Sequence, residues 1–101
     1  MALGQGVPTA DIAGTVTSAF DGTPIPGARI FVCIPTPFGC RPDAGGTTDE
    51  DGSYKVSVRT VGGPYPRRVE VSAEEFVTQS LEVTVIEGET TIADFELEPK
   101  G

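Results

Sequence analysis

The chain has 101 residues, 15 of them Asp or Glu against 7 Lys or Arg, for a formal net charge of −8, and it contains neither His nor Trp. That length fits one small domain whose folding hides roughly 60–65% of the extended chain's surface. Without imidazole, Ser-His-Asp and Cys-His nucleophiles, His-ligated zinc and His acid–base catalysis are excluded, and the acidic surface argues against nucleic acid or anionic lipid as a partner.

Residues 1–10 carry Gly4, Gly6 and Pro8, show no periodicity, and read as a flexible N-terminal segment. Residues 11–99 read as a single domain and 100–101 as a C-terminal tail. The first six residues lack the basic and long apolar regions of a secretory signal, and no stretch approaches the ~20 apolar residues of a membrane span, so membrane insertion is not expected.

A first strand is expected from near Asp11, where Ile12, Gly14 and Val16 alternate with Ala13, Thr15 and Thr17. The block 20–27, with Asp21-Gly22 and Pro24-Ile25-Pro26-Gly27, forbids helix and marks a turn. A second strand over 28–34 sets Ala28, Ile30, Val32 and Ile34 on one face and Arg29, Phe31 and Cys33 on the other. The Pro- and Gly-containing stretch between Cys33 and Cys40 is a turn-rich loop, and with 41–46 it reads as a variable surface excursion. A disulfide between Cys33 and Cys40 is the expected state, with free buried thiols as the alternative; two thiols without His are too few for structural zinc, and the spacing is not Cys-x-x-Cys.

Asp49-Glu50-Asp51-Gly52 forms a tight acidic turn before a strand with Tyr54, Val56 and Val58 on one face. After a break at 62–66, Val69, Val71 and Ala73 share a face, and Arg67-Arg68 reads as a solvated pair at the top of that strand. Glu74-Glu75-Phe76 is a corner; Leu81, Val83 and Val85, then Ala93, Phe95 and Leu97, define two more alternating runs across a turn at 87–89. About seven short strands and no helical period predict an all-β, antiparallel two-sheet sandwich of the Ig-like Greek-key class. Its expected core is Ile12, Val16, Ile30, Val32, Tyr54, Val56, Val58, Val69, Val71, Leu81, Val83, Phe95 and Leu97.

Two ordered motifs carry a family resemblance. Residues 12–16 followed by Asp21-Gly22-Thr23-Pro24-Ile25-Pro26-Gly27-Ala28 resemble the opening of carboxypeptidase regulatory-like domains, Thr47-Thr48-Asp49-Glu50-Asp51-Gly52-Ser53-Tyr54 resembles their second signature, and Asp94-Phe95-Glu96-Leu97 resembles their last strand. The resemblance spans about 12–99 and implies a transthyretin-like (prealbumin-like) sandwich, also described as carbohydrate-binding-like. In that family the motifs build scaffold and carry no catalysis, so the resemblance implies a non-catalytic accessory module with structural, adhesion or protein-interaction roles in a cell-surface or secreted protein. The alternatives are a capsid decoration or other particle-surface protein on a virion, and a glycan- or small-ligand-binding module. Partners are then neighbouring domains or particle subunits, or a glycan. A module cut from a longer parent is the preferred reading of the missing signal.

Candidate chemistry is sparse. Asp49 and Asp51 are weak Ca²⁺ candidates, since no Glu stands at the later position of an EF-hand-like loop, and a plain hairpin turn is preferred. No cofactor is expected. The fifteen acids offer no spacing that singles out a glycosidase pair, and no Gly-x-Ser-x-Gly elbow occurs, so an enzyme is not expected. The Lys–Asn or Lys–Asp isopeptide of related collagen-adhesin sandwiches needs a lysine in an early strand, whereas the only lysines are Lys55 and Lys100. Phe38, Arg41 and Tyr65 are the residues of a candidate binding loop.

Overall fold

Period-two alternation over residues 9–18 and 53–59 produces the antiparallel pair on which the first sheet is built: Ala10, Ile12 and Gly14 stand opposite Val58, Val56 and Tyr54. The computed structural model describes residues 8–60 and 65–100. Its strands are β1 (Thr9–Ser18), β2 (Arg29–Thr36), β3 (Gly39–Thr47), β4 (Ser53–Arg59), β5 (Tyr65–Ser72), β6 (Gln79–Val85), β7 (Thr90–Ile92) and β8 (Phe95–Leu97). One sheet has the order β4-β1-β7, with β8 also on β1, and the other the order β3-β2-β5-β6. Between them lies an aliphatic core in which Ile12, Val16, Val32, Val69, Val71 and Leu97 are fully buried.

The sandwich is all-β as expected, with three differences. There are eight strands, because residues 39–47 form β3 rather than a loop and Thr90–Ile92 form a separate β7 ahead of the last alternating run. Gly45, Gly46 and Pro42 erase the alternation there, and the strand exists through its backbone ladder to β2; Pro42 is tolerated because β3 is an edge strand. The sheets are not purely antiparallel, since β7 and β8 both run parallel to β1. Finally, a register shift between Val32 and Cys33 breaks the alternation of β2, burying Cys33 instead of exposing it.

The parallel strands meet β1 end to end, and the changeover rests on Gly14. A Cβ there would lie 2.0 Å from the Ala93 carbonyl oxygen. The Ala93 N–H donates to Ala13 O at 2.8 Å, the Thr15 N–H donates to Asp94 Oδ1 at 2.9 Å, and the Tyr54 hydroxyl donates to Ala93 O. That hydroxyl is buried with the rest of the side chain, because its cross-strand partner is a residue with no side chain to occupy the space.

The family motifs interlock at the opposite side of the same strands. The buried Thr48 hydroxyl donates to Ile25 O at 2.6 Å and accepts from the Ala28 N–H at 2.9 Å. Gly52 takes φ +79° in contact range of Val16 O and Pro24, so a side chain is refused on both conformational and steric grounds. Asp21 Oδ1 accepts from the Thr23 N–H and hydroxyl, which holds the Asp21 carboxyl below its ordinary value.

Two predictions follow from the Gly14 contact. Gly14→Ala forces the Ala93 segment off β1 and is expected to cost about 3 kcal/mol, read by chemical denaturation. Burial, reinforced by the Asp94 charge, pushes the Tyr54 hydroxyl up to about 12. Its stabilisation is therefore complete below the ordinary tyrosine value of about 10 and is lost as pH rises toward 12. Ultraviolet titration is expected to resolve a late phenolate step that Tyr54→Phe abolishes, together with the extra alkaline destabilisation.

Candidate functional site

The exposed end of the second sheet is a hairpin built by its own sequence. Thr36 and Gly39 pair across the two-residue tip Pro37-Phe38; the Thr36 hydroxyl donates to Gly39 O at 2.7 Å and accepts from the Phe38 N–H at 3.2 Å. Gly39 takes φ +132°, which lets the chain reverse. Behind the tip, Cys33 and Cys40 are joined by a disulfide with Cα atoms 5.4 Å apart. Closing so short a ring stabilises the fold by about 2.5 kcal/mol through the unfolded state. The bridge and turn fix Phe38 in place while leaving it 98% exposed.

Arg41 lies exposed on β3, across from Ile34. Tyr65 opens β5 at the same end of the sheet, with the Arg67 guanidinium 5.6 Å from its ring centre. The hairpin thus carries Phe38 and Arg41, while Tyr65 belongs to the neighbouring strand and stacks with Arg67.

Arg67 corrects the expectation of a solvated pair: it is only 4% exposed. Its Nε donates to Asp43 Oδ2 at 2.8 Å, one terminal nitrogen donates to Pro66 O at 3.0 Å and the other to Arg59 O at 2.9 Å. One side chain therefore ties β3, β4 and β5 together beneath the hairpin. The sequence hides this role because the Pro- and Gly-containing stretch around Asp43 reads as a loop, which offers Arg67 no buried counter-charge. Arg68 behaves as expected, pairing with Glu82 at 3.1 Å at the surface.

Asp49 and Asp51 each commit one carboxylate oxygen to the turn. Asp49 Oδ1 accepts the N–H groups of Asp51 and Ser53 at 3.3 and 3.0 Å, and Asp51 Oδ1 accepts the Ser53 N–H at 3.3 Å. The Asp49 carboxyl and Ser53 hold Asp51 below its ordinary value. Among the described residues no group of three or more His, Cys, Asp or Glu is arranged to hold a metal ion.

Leu81, expected in the core, is 44% exposed, and Val83 is only half-buried. Both lie on β6, an edge strand of the second sheet. Beside β6 a groove of about 550 Å³ is lined by Thr15, Thr17, Gln79, Ser80, Leu81, Asp94, Phe95 and Glu96.

The model of the carboxypeptidase regulatory-like domain matches residues 11–98, and the chain belongs to that family. No curated relative matches it. Among solved structures, the Bacillus anthracis TIE protein superposes with a TM-score of 0.69 at 20% identity, over 91% of this chain and 17% of that one. A minor pilin of Streptococcus agalactiae gives 0.65 at 12% identity, over 94% and 45%. Catechol 1,2-dioxygenase from Acinetobacter gives 0.66 at 14% identity, over 95% and 54%. The chain spans between about a sixth and a half of these three structures, which share its fold.

The buried arginine yields a further prediction. Arg67→Ala leaves Asp43 without its counter-charge and two carbonyls without a donor, and is expected to cost about 3–5 kcal/mol in denaturant unfolding. A double-mutant cycle with Asp43→Ala measures the coupling; additive losses would contradict the pairing.

Proposed function

We propose that the chain is a non-catalytic accessory module that docks onto a neighbouring protein through the β2–β3 hairpin, at a cell surface or in a secreted assembly. The observation that carries this reading is Phe38, a large apolar side chain left 98% exposed on a tip that a disulfide holds rigid. Aromatic anchors presented in a fixed geometry lose little entropy on binding, which is why such residues dominate interfaces. Arg67 supports the hairpin from below through Asp43, so the tip is braced at its base as well as across its strands. The disulfide favours an oxidising compartment, and a likeness in fold to a minor pilin accords with a structural or adhesive role.

The test is site-specific photocrosslinking in the cells or particles that produce the chain. Benzoylphenylalanine at position 38 is expected to yield a discrete protein adduct, while the same group at exposed Glu50, in the turn at the other end of the sandwich, yields none. Saturable binding on a glycan array that Phe38→Ala abolishes would transfer the role to a sugar ligand. Turnover of any substrate by the purified chain would overturn the non-catalytic reading.

A further inference from the structure

The two seams of the sandwich differ. At the seam carrying the groove, β6 and the C-terminal strand approach each other antiparallel and are zipped at one end only. Val77 N–H donates to Glu98 O at 2.8 Å, Lys100 N–H donates to Glu75 O at 2.8 Å, and Phe76 bridges Pro99. The next rung is made by a side chain, the Gln79 amide donating to Glu96 O at 2.6 Å. Beyond it the strands diverge, and among the described residues no backbone hydrogen bond leads from β6 to β7 or β8. Among the described residues the outer edge of β6 is therefore an unpaired ladder that begins where Gln79 ends the zipper.

Three properties of this fork define what fits it. An edge ladder is satisfied by an extended strand, whose backbone supplies the missing partners. Leu81 and Phe95 contribute apolar surface to a lining whose other side chains are polar. The charged residues lining the groove are Asp94 and Glu96, with no lysine or arginine among them, and the chain as a whole carries −8. A second copy would bring the same acidic rim against itself, which like-charge repulsion opposes.

We infer that the groove between β6 and β8 receives an extended basic segment of a protein partner, lysines or arginines alternating with apolar residues, which adds as a strand to the edge of β6. The apolar side chains pack on Leu81, and the basic ones reach the carboxylates of Asp94 and Glu96. This is a second docking surface, distinct from the Phe38 hairpin, so its failure leaves the hairpin reading standing and the crosslinking experiment does not bear on it.

The probe is the acetylated, amidated heptapeptide Lys-Val-Lys-Val-Lys-Val-Lys, titrated calorimetrically into the full chain. Saturable one-to-one binding is expected, weakened at least tenfold by Glu96→Gln and by Leu81→Lys, two substitutions at exposed positions. Methylating alternate peptide nitrogens along one edge leaves the charge intact and is expected to weaken binding at least tenfold, since it removes the ladder. Amide exchange of alternate β6 residues is expected to slow at least tenfold with peptide bound. Equal binding of the methylated peptide, or protection confined to β3 or β4, would overturn strand addition at β6. So would no binding, a dimer of the chain whose β6 amides are already protected, or a tenfold gain in affinity on deleting residues 1–7.

Discussion

The close approach of the Ala93 carbonyl to Gly14 is the constraint on which the first sheet depends. β1 must serve three partners, β4 along one edge and β7 then β8 along the other in one continuous register, broken only at the Ala93–Asp94 step beside Gly14. Any side chain at position 14 would occupy the step. With none present, the carbonyl descends onto the backbone and accepts the Tyr54 hydroxyl, and Asp94 turns back to receive the Thr15 N–H. Thr15 of β1, Tyr54 of β4 and the Ala93–Asp94 link between β7 and β8 are fixed by the absence of one Cβ.

The step also shapes the surface. The groove beside which Leu81 lies half in water is lined on this side by Asp94, Phe95 and Glu96, at and just after the break between β7 and β8. The acidic surplus sets the sign of this opening, since its lining carboxylates have no basic neighbour among the groove residues. An unpaired strand edge is usually blunted by lysine, proline or a bulge. β3 carries Pro42 and a bulged partner strand, and β4 carries Lys55, whereas β6 has neither proline nor lysine.

The two ends of the sandwich divide the work of scaffold and display. At one end the family motifs lock together through Thr48, Gly52 and the Asp21 and Asp49 turns, whose side-chain oxygens bond to the motifs' own backbone. At the other, the hairpin extends past the core, held by its disulfide and by Arg67 reaching from β5 to Asp43 and to the end of β4. Buried ion pairs seldom add much net stability, but they fix geometry because every alternative arrangement leaves a charge unpaired. Here that fixed geometry is the base of a finger with Phe38 at its tip.

The sequence by itself determined the class of fold, the family and most of the core, because alternation along Ile12–Val16, Tyr54–Val58 and Val69–Val71 is a local signal that depends only on the two-residue period of a strand. Turn glycines such as Gly52 were legible for the same reason, as a conformational requirement carried within four residues. What only the tertiary structure decided were features made between distant segments. β3 has no alternation and exists because β2 offers a ladder; Arg67 is buried because Asp43, 24 residues away, comes to meet it. Tyr54 is dry because Gly14 and Ala93 close over it. Leu81 obeys the strand period perfectly and is still half in water, because periodicity assigns a residue to a face and only the position of the opposing sheet decides whether that face is covered.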